Sequence, residues 1–418
     1  MILPRLVEIV PLSEPVQAQV AVPGSKSITN RALLLAALSS GTTIVRGALW
    51  SEDTEIMVKC LKTLGVGVTS TTDSRESANR TIEVEGTGGV LTRGGSTEDP
   101  LELFVGNAGT AARFIAALVC LGQGSYRLSG TTRMHERPQR ALFDALRQLG
   151  YGVDSPADTL PAVLHGGGPR PGAACRVRID ASSQFASALL MAATRGGWRV
   201  TVEGEDAEES PYVQLTSEII SAFPQAGGTF DIEPDASSAS YFWGADWLLR
   251  RRAATRSSAI RVAGWPERSS QMDARFPDFL GDFPESTSRQ RDLADSIMTA
   301  IVLAPFADGP KRFVDLGRLR VQECERVKAL HTELEKCGAV VIEEGDTLRL
   351  TPGPLHGAEI ETYDDHRMAM CFAMIGLAVP GIRIRNPECV RKTFPNFFEK
   401  LSQSPPHGLG VTVRSAPS

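Results

Sequence analysis

The chain has 418 residues, more than one hydrophobic core usually serves, so two domains are the expectation. With a formal net charge of −5, no long run of one sign and only 6% aromatic residues, nucleic acid and anionic membrane are poor candidates as partners. No apolar run approaches a membrane span, the opening Met1-Ile2-Leu3-Pro4-Arg5 lacks a signal-peptide pattern, and seven scattered cysteines have no metal-ligand spacing; free thiols in a reducing cytoplasm are expected.

Residues 5–22 read as extended segments that end at Pro23-Gly24. Ser25 or Ser27 can then cap a helix continuing through Ala32-Leu33-Leu34-Leu35-Ala36-Ala37-Leu38. A helix start presents free N–H groups and the positive end of the macrodipole, which suits an anion. Lys26, Ser27 and Arg31 add two cations and a hydroxyl to that turn. On this stretch alone, a capped helix with solvated cations would be the plainer interpretation.

A strand over 43–49 follows, then a capping-box-like start at Ser51-Glu52-Asp53-Thr54 for a helix running to Leu64-Gly65. Leu103-Phe104-Val105-Gly106-Asn107-Ala108-Gly109-Thr110 repeats the opening order of strand, small-residue turn and helix, with Arg113 one turn in. Further starts of this kind stand at Asp180-Ala181-Ser182-Ser183-Gln184, Asp235-Ala236-Ser237-Ser238, Ala294-Asp295-Ser296 and Asp364-Asp365-His366-Arg367. Six such starts at intervals of roughly 55–85 residues suggest a duplicated supersecondary unit. Helices such as Ala188-Leu189-Leu190-Met191-Ala192-Ala193 are apolar almost all round and should be buried. There is no Gly-x-Gly-x-x-Gly turn for a dinucleotide fold.

Seven stretches in this order resemble those of the 5-enolpyruvylshikimate-3-phosphate synthase family of enolpyruvyl transferases. They are Pro23 to Arg31, Gly106 to Arg113, Arg133-Met134-His135-Glu136-Arg137-Pro138, Asp180 to Gln184, Asp235 to Ser240, Asp364 to Ala369, and Lys392-Thr393-Phe394-Pro395. The resemblance implies an α/β fold of two similar lobes, each of three βαβαββ-type units around buried helices. One lobe would be discontinuous, 1–23 plus 233–418; the other would be 24–232, with the active site in the cleft between them. It further implies transfer of the enolpyruvyl group of phosphoenolpyruvate to the 5-hydroxyl of shikimate 3-phosphate, by a monomer that needs no cofactor or metal.

The resemblance assigns Lys26, Arg133, Arg326, Arg367 and Lys392 to the phosphoenolpyruvate carboxylate and phosphate, groups that arginine's planar fork matches. It assigns Ser27, Arg31, Ser182, Ser183, Gln184 and Tyr212 to the acceptor, and gives binding positions to Asn107, Gly109, Thr110 and His366. Addition–elimination needs a partner for the acceptor hydroxyl, for which Asp295 is the candidate. It also needs a proton for the methylene carbon, for which Glu323 is the candidate, sharing the task with Lys26. Taken singly, Asp295 reads as a helix cap and Glu323 with Arg326 as a solvated pair of little worth.

Three departures fall near the acceptor phosphate. Gln322 and Arg318 stand where the family has Lys and Asn, and Glu209 precedes Ser210 where the family has Ser-Lys-Pro-Tyr. Arg318 is expected to restore the missing cation. The segment from Gly264 to Arg291 looks shortened, so one unit should lack part of its usual elements. The sister family that uses UDP-N-acetylglucosamine fits less well: Lys26-Ser27 replaces its Lys-Asn, and 131–138 holds no Cys. The alternatives are an enolpyruvyl transferase for another acceptor and a non-catalytic binding homologue.

Overall fold

The computed structural model describes residues 3–204, 210–252 and 258–416, and Glu209 lies outside them. It divides into two compact units, Met1–Pro23 with Pro234–Ser418, and Gly24–Glu233. Helices and strands alternate in both, giving the α/β class read from the sequence.

In the Gly24–Glu233 unit, the helices Lys26–Leu38, Gly109–Val119 and Gln184–Gly196 form the centre. From Ile28 to Leu38, and along the whole of Gly109–Val119, every residue is buried. Such helices show no polar face because sheets and neighbouring helices together cover them all round. Two of those sheets have four strands each: Gly228–Asp231, Thr42–Leu49, Asn79–Glu85, Val68–Thr72 in one, and Leu101–Phe104, Gln123–Ser129, Ala162–Gly167, Gly152–Asp154 in the other. A parallel pair, Ala174–Arg178 with Glu203-ended Arg199–Glu203, makes the third.

The other unit repeats the plan around Ala236–Arg252, Ile297–Leu303 and His366–Gly376. Among the described residues it too has two four-stranded sheets and one two-stranded sheet, the parallel pair Gln17–Val20 with Ala259–Val262. The shortened stretch is visible in it. Between Gly264 and Arg291 stand only a 3₁₀ turn at Met272–Arg275, the seven-residue helix Phe276–Asp282 and the three-residue strand Ser286–Ser288. Aromatic packing compensates here, with Phe279 against Phe276 and Phe283, and Trp247 against Phe283.

The Pro23-Gly24 break that opens the first central helix is sterically specified. The N–H of Gly24 donates to Asn79 Oδ1 (2.9 Å), and a Cβ at Gly24 would lie 2.0 Å from the Gly47 carbonyl oxygen. Gly47 has φ +67°, which glycine adopts without strain, and a contact of 2.0 Å is one that something must shift to relieve. Gly24→Ala should therefore destabilise by about 1–3 kcal/mol, visible as a lower urea midpoint at unchanged slope. An unshifted midpoint would show that the two backbones separate freely.

Candidate active site

Two groups of predicted residues assemble, one in each unit. In Gly24–Glu233, Lys26 opens the first central helix and its Nζ lies 3.2 Å from Asp53 Oδ2. Asp53 belongs to the first turn of Glu52–Thr63, and its side chain is 5% exposed. The buried carboxylate holds the lysine head, whose side chain is 20% exposed, where the helix begins. Ser27 is half-buried one residue on.

Arg31 turns inward. It is 2% exposed, donating from Nε to Thr216 Oγ1 (2.7 Å), from Nη2 to Ser187 Oγ (3.0 Å) and from Nη1 to the Ser27 carbonyl (2.9 Å). Its guanidinium lies over Phe114 at 5.6 Å. This arginine ties three helices of the unit together beneath Ser27. The Thr216 hydroxyl, which accepts from Arg31, donates in turn to the Tyr212 carbonyl (2.8 Å), so Tyr212 joins the same cluster through its backbone.

At the second and third starts, Gln184 Nε2 donates to Thr110 Oγ1 (3.4 Å), while Ser182 and Ser183 are both 2% exposed. Gln184 N donates to Ser182 Oγ (3.2 Å), closing the turn that aims this helix end. Gly109 leaves room that side chains use: a Cβ there would meet Arg137 Nη2 at 2.6 Å and Arg113 Nη1 at 2.8 Å. Arg137 also donates to the Asn107 carbonyl (3.3 Å). Arg133, on the short helix Thr132–Glu136, pairs with Glu136 (2.7 Å), with its side chain 37% exposed and its Nε buried.

The second unit carries the densest charge. Asp295 precedes Ile297–Leu303 and its two oxygens are held separately: Arg367 Nη2 lies 3.0 Å from Oδ2 and Arg289 Nη2 3.4 Å from Oδ1. The flanking backbone is pinned by buried Asp273, which accepts from Ala294 N (2.8 Å), Ser296 N (3.3 Å) and Ser296 Oγ (2.6 Å), and from Ser237 Oγ (2.6 Å). Asp295 is thus more than a cap. Burial pushes its carboxyl up, but Arg367, then Arg289 and Arg326, outweigh that, and it lies well below the usual carboxylate range despite Glu323 nearby.

Glu323 accepts from Arg326 Nη2 (2.9 Å) and sits 3.5 Å from Lys392 Nζ. The exposures decide its character: 1% for Arg326, 9% for Lys392 and 11% for Glu323, so the spacing that reads as a solvated pair is a desolvated one. Arg326 also engages Asp365 bidentately, Nε to Oδ2 at 2.7 Å and Nη2 to Oδ1 at 3.2 Å. Burial alone would lower the arginine's pKa; Asp365 and Glu323 reverse that and raise it. Asp365 in turn caps the His366–Gly376 helix by accepting from Arg367 N (2.8 Å), and lies 3.7 Å from the ring of buried His366.

Two residues before that cap, the backbone is strained: Tyr363 and Asp364 have φ of +54° and +55°. Tyr363 Oη donating to Glu333 (2.7 Å) and Asn386 Nδ2 donating to Asp364 (3.1 Å) hold the turn. The strained turn delivers Asp365 and Arg367 to the cluster.

Arg318 lies on a 3₁₀ turn, Gly317–Val321, and Gln322 is the residue that follows it. Arg320 locks that turn, donating to Asp346 (2.8 Å), Glu343 (2.8 Å) and Glu325 (2.6 Å). Gln322 Oε1 accepts from Arg326 Nη1, a role no lysine could fill. Sequence reasoning missed Asp53, Asp273, Arg289 and Asp365 as members of the site; only Asp365 stood within a recognised stretch. Among the described residues no group of three or more His, Cys, Asp or Glu could hold a metal ion, and no helix is long and apolar enough to cross a membrane.

The sequence pattern of EPSP synthase (3-phosphoshikimate 1-carboxyvinyltransferase) matches residues 10–226 and 287–401. A 3-phosphoshikimate 1-carboxyvinyltransferase of Nostoc punctiforme is 37% identical, over 95% of this chain and 98% of that protein. One of Yersinia pestis is 39% identical, over 93% and 96%. The solved EPSP synthase of Acinetobacter baumannii has the same fold, with TM-score 0.76 over 99% of this chain and 100% of that one, at 21% identity. Carboxylates flanked by buried arginines and a pattern spanning most of the sequence converge: the chain belongs to the EPSP synthase family.

Proposed function

We propose that this chain transfers the enolpyruvyl group of phosphoenolpyruvate to the 5-hydroxyl of shikimate 3-phosphate and releases phosphate. The observation that carries this reading is the carboxylate pair Asp295 and Glu323, each held by buried cations, in a chain of this family. Arg326, Arg367 and Lys392 take the carboxylate and phosphate of phosphoenolpyruvate, joined by Lys26 and Arg133. Ser27, Ser182, Ser183, Gln184 and Tyr212 take the acceptor, and Arg31 acts beneath them by holding the Ser27 carbonyl. Asn107, Gly109, Thr110 and His366 complete the binding set.

Asp295 takes the proton of the acceptor hydroxyl as that oxygen attacks C2 of phosphoenolpyruvate, and passes it to the departing phosphate. The Glu323–Lys392 pair, with Lys26, supplies and later recovers the proton at the methylene carbon, and phosphate leaves as the carbon–carbon double bond re-forms. Cations already desolvated by the protein stabilise the charge that develops, because they need not reorganise.

The acceptor's phosphate is the point on which the reading is tested. Gln322 accepts from Arg326, and Arg318, on the turn just before it, is the cation we assign to the phosphate. Phosphate release measured with phosphoenolpyruvate should show Arg318→Ala raising KM for shikimate 3-phosphate by roughly ten- to a hundredfold, as loss of a charge-assisted bond does. KM for phosphoenolpyruvate should stay nearly constant. Equal turnover of shikimate and shikimate 3-phosphate by the unaltered enzyme would overturn this acceptor and favour a transferase for an unphosphorylated alcohol.

A further inference from the structure

We infer that Arg289 is a positioning residue for the reaction: with Arg367 it grips the Asp295 carboxylate by one oxygen each and presents it, ionised, to the acceptor hydroxyl. This rests on the reading of Asp295 as that hydroxyl's partner, and assigns a role to a residue outside every stretch that carries the family resemblance.

The geometry is built for it. Arg289 leaves the strand Ser286–Ser288, and its N–H donates to the Val314 carbonyl (3.1 Å), anchoring its backbone to the neighbouring strand. The chain then folds back: Asp292 N donates to the Ser288 carbonyl (3.0 Å), and Ser288 N donates to Asp292 Oδ2 (2.7 Å). That tight turn returns Asp295 to the Arg289 side chain only six residues later. Arg289 itself is 3% exposed, whereas the Asp295 side chain is 20% exposed. The arginine therefore lies behind the carboxylate and leaves its outer side open.

A buried guanidinium is a poor choice for stability alone, because a well-packed apolar group of similar volume serves as well or better. Its neighbours also argue against a purely structural role. Arg326 and Arg318 both bear on Arg289 with like charge, and Asp295 offsets them. The charged groups facing Asp295 from every side are Arg367, Arg289, Arg326 and Glu323, with Asp273 beneath its backbone. The 3.0 Å contact to Arg367 is the tight one and the 3.4 Å contact to Arg289 the loose one. Oδ1, on the loose side, is thus the oxygen that can exchange to the acceptor hydroxyl.

The sign of the pH effect follows. The carboxylate form is required, so turnover is lost as pH falls through the Asp295 pKa, which the arginines hold low. Removing one of them moves that loss upward, toward the ordinary carboxylate range.

The test uses the full-length enzyme, phosphoenolpyruvate and shikimate 3-phosphate, with phosphate release followed across the acid range. Arg289→Gln should lower kcat by roughly ten- to a hundredfold while both KM values change by less than about threefold. Its acid limb should rise. Arg289→Lys keeps the charge and loses the fork, so its kcat should fall severalfold with the acid limb in place. In an Asp295→Asn background, Arg289→Gln should cost less than about twofold further. An unmoved acid limb in Arg289→Gln, or a full additional loss in the Asp295→Asn background, overturns the inference. Where Arg289→Gln does not fold, Arg289→Lys decides, and a kcat equal to the unaltered enzyme overturns it. Turnover surviving Asp295→Asn would instead sink the reading beneath; collapse there with an unmoved Arg289 profile sinks this inference alone.

Discussion

Asp295→Asn should reduce kcat by roughly a hundred- to ten-thousandfold, the range of a general acid–base group, and leave phosphoenolpyruvate binding intact. The substitution keeps shape and removes a charge. The Asp273 bonds to Ala294 N, Ser296 N and Ser296 Oγ run through the backbone and a neighbour, so the helix start keeps its place. What changes is the electrostatics around Arg367, which loses its nearest counter-charge at 3.0 Å. An anionic ligand at that arginine then meets a more positive site, so its Kd should hold or fall slightly. In rate terms the loss is about 2.7–5.5 kcal/mol of transition-state stabilisation. Single-turnover phosphate release and fluorescence titration with phosphoenolpyruvate separate the two quantities. A variant within tenfold of the parent kcat would return Asp295 to the role of a helix cap.

Much of this was legible in the sequence, for a physical reason. Helices buried on all sides must be apolar all round, and small polar residues must stand at their starts. Ala-Leu runs after Asp-Ala-Ser-Ser or Asn-Ala-Gly-Thr therefore announce the fold locally. Lys26, Asp295 and Arg367 stand beside those starts and were found with them. The partners were not legible, because long-range pairing leaves no mark at either position. Asp53 meets Lys26 across 27 residues, Arg31 reaches Ser187 and Thr216 across 156 and 185, and Asp365 reaches Arg326 across 39. Arg289 lay in the shortened segment, where the local pattern is weakest. Gln322 shows the limit differently. Its sequence position marks a missing cation, but only the fold reveals that its carbonyl oxygen is occupied by Arg326. Spacing also misjudged Glu323 and Arg326: the same i,i+3 pair is weak in water and strong when buried, and burial is a property of the whole unit.

The largest effect on stability is expected at Asp365. Its side chain is wholly buried and does three jobs: it receives both edges of the Arg326 guanidinium, accepts the Arg367 N–H at the start of His366–Gly376, and contacts Cys324 Sγ at 3.5 Å. Arg326 is equally buried, so Asp365→Ala leaves a cation with Glu323 as its remaining carboxylate and removes a helix cap. Breaking one side of a buried pair costs about 3–5 kcal/mol, a penalty dominated by the charge left behind. For a unit of this size that corresponds to a Tm lower by roughly 6–20 °C. Asp365→Asn keeps an acceptor for the Arg367 N–H and one for Arg326, so its loss should be smaller than that of Asp365→Ala. The double variant Asp365→Ala with Arg326→Met removes the stranded cation and should recover part of the lost Tm, although turnover stays low because Arg326 is gone. Calorimetric melts of the three variants carry the comparison. If Asp365→Ala melted within about 2 °C of the parent, the pair would be worth no more than an exposed one. If the double variant melted lower than the single, the penalty would lie in lost packing and not in the unpaired charge.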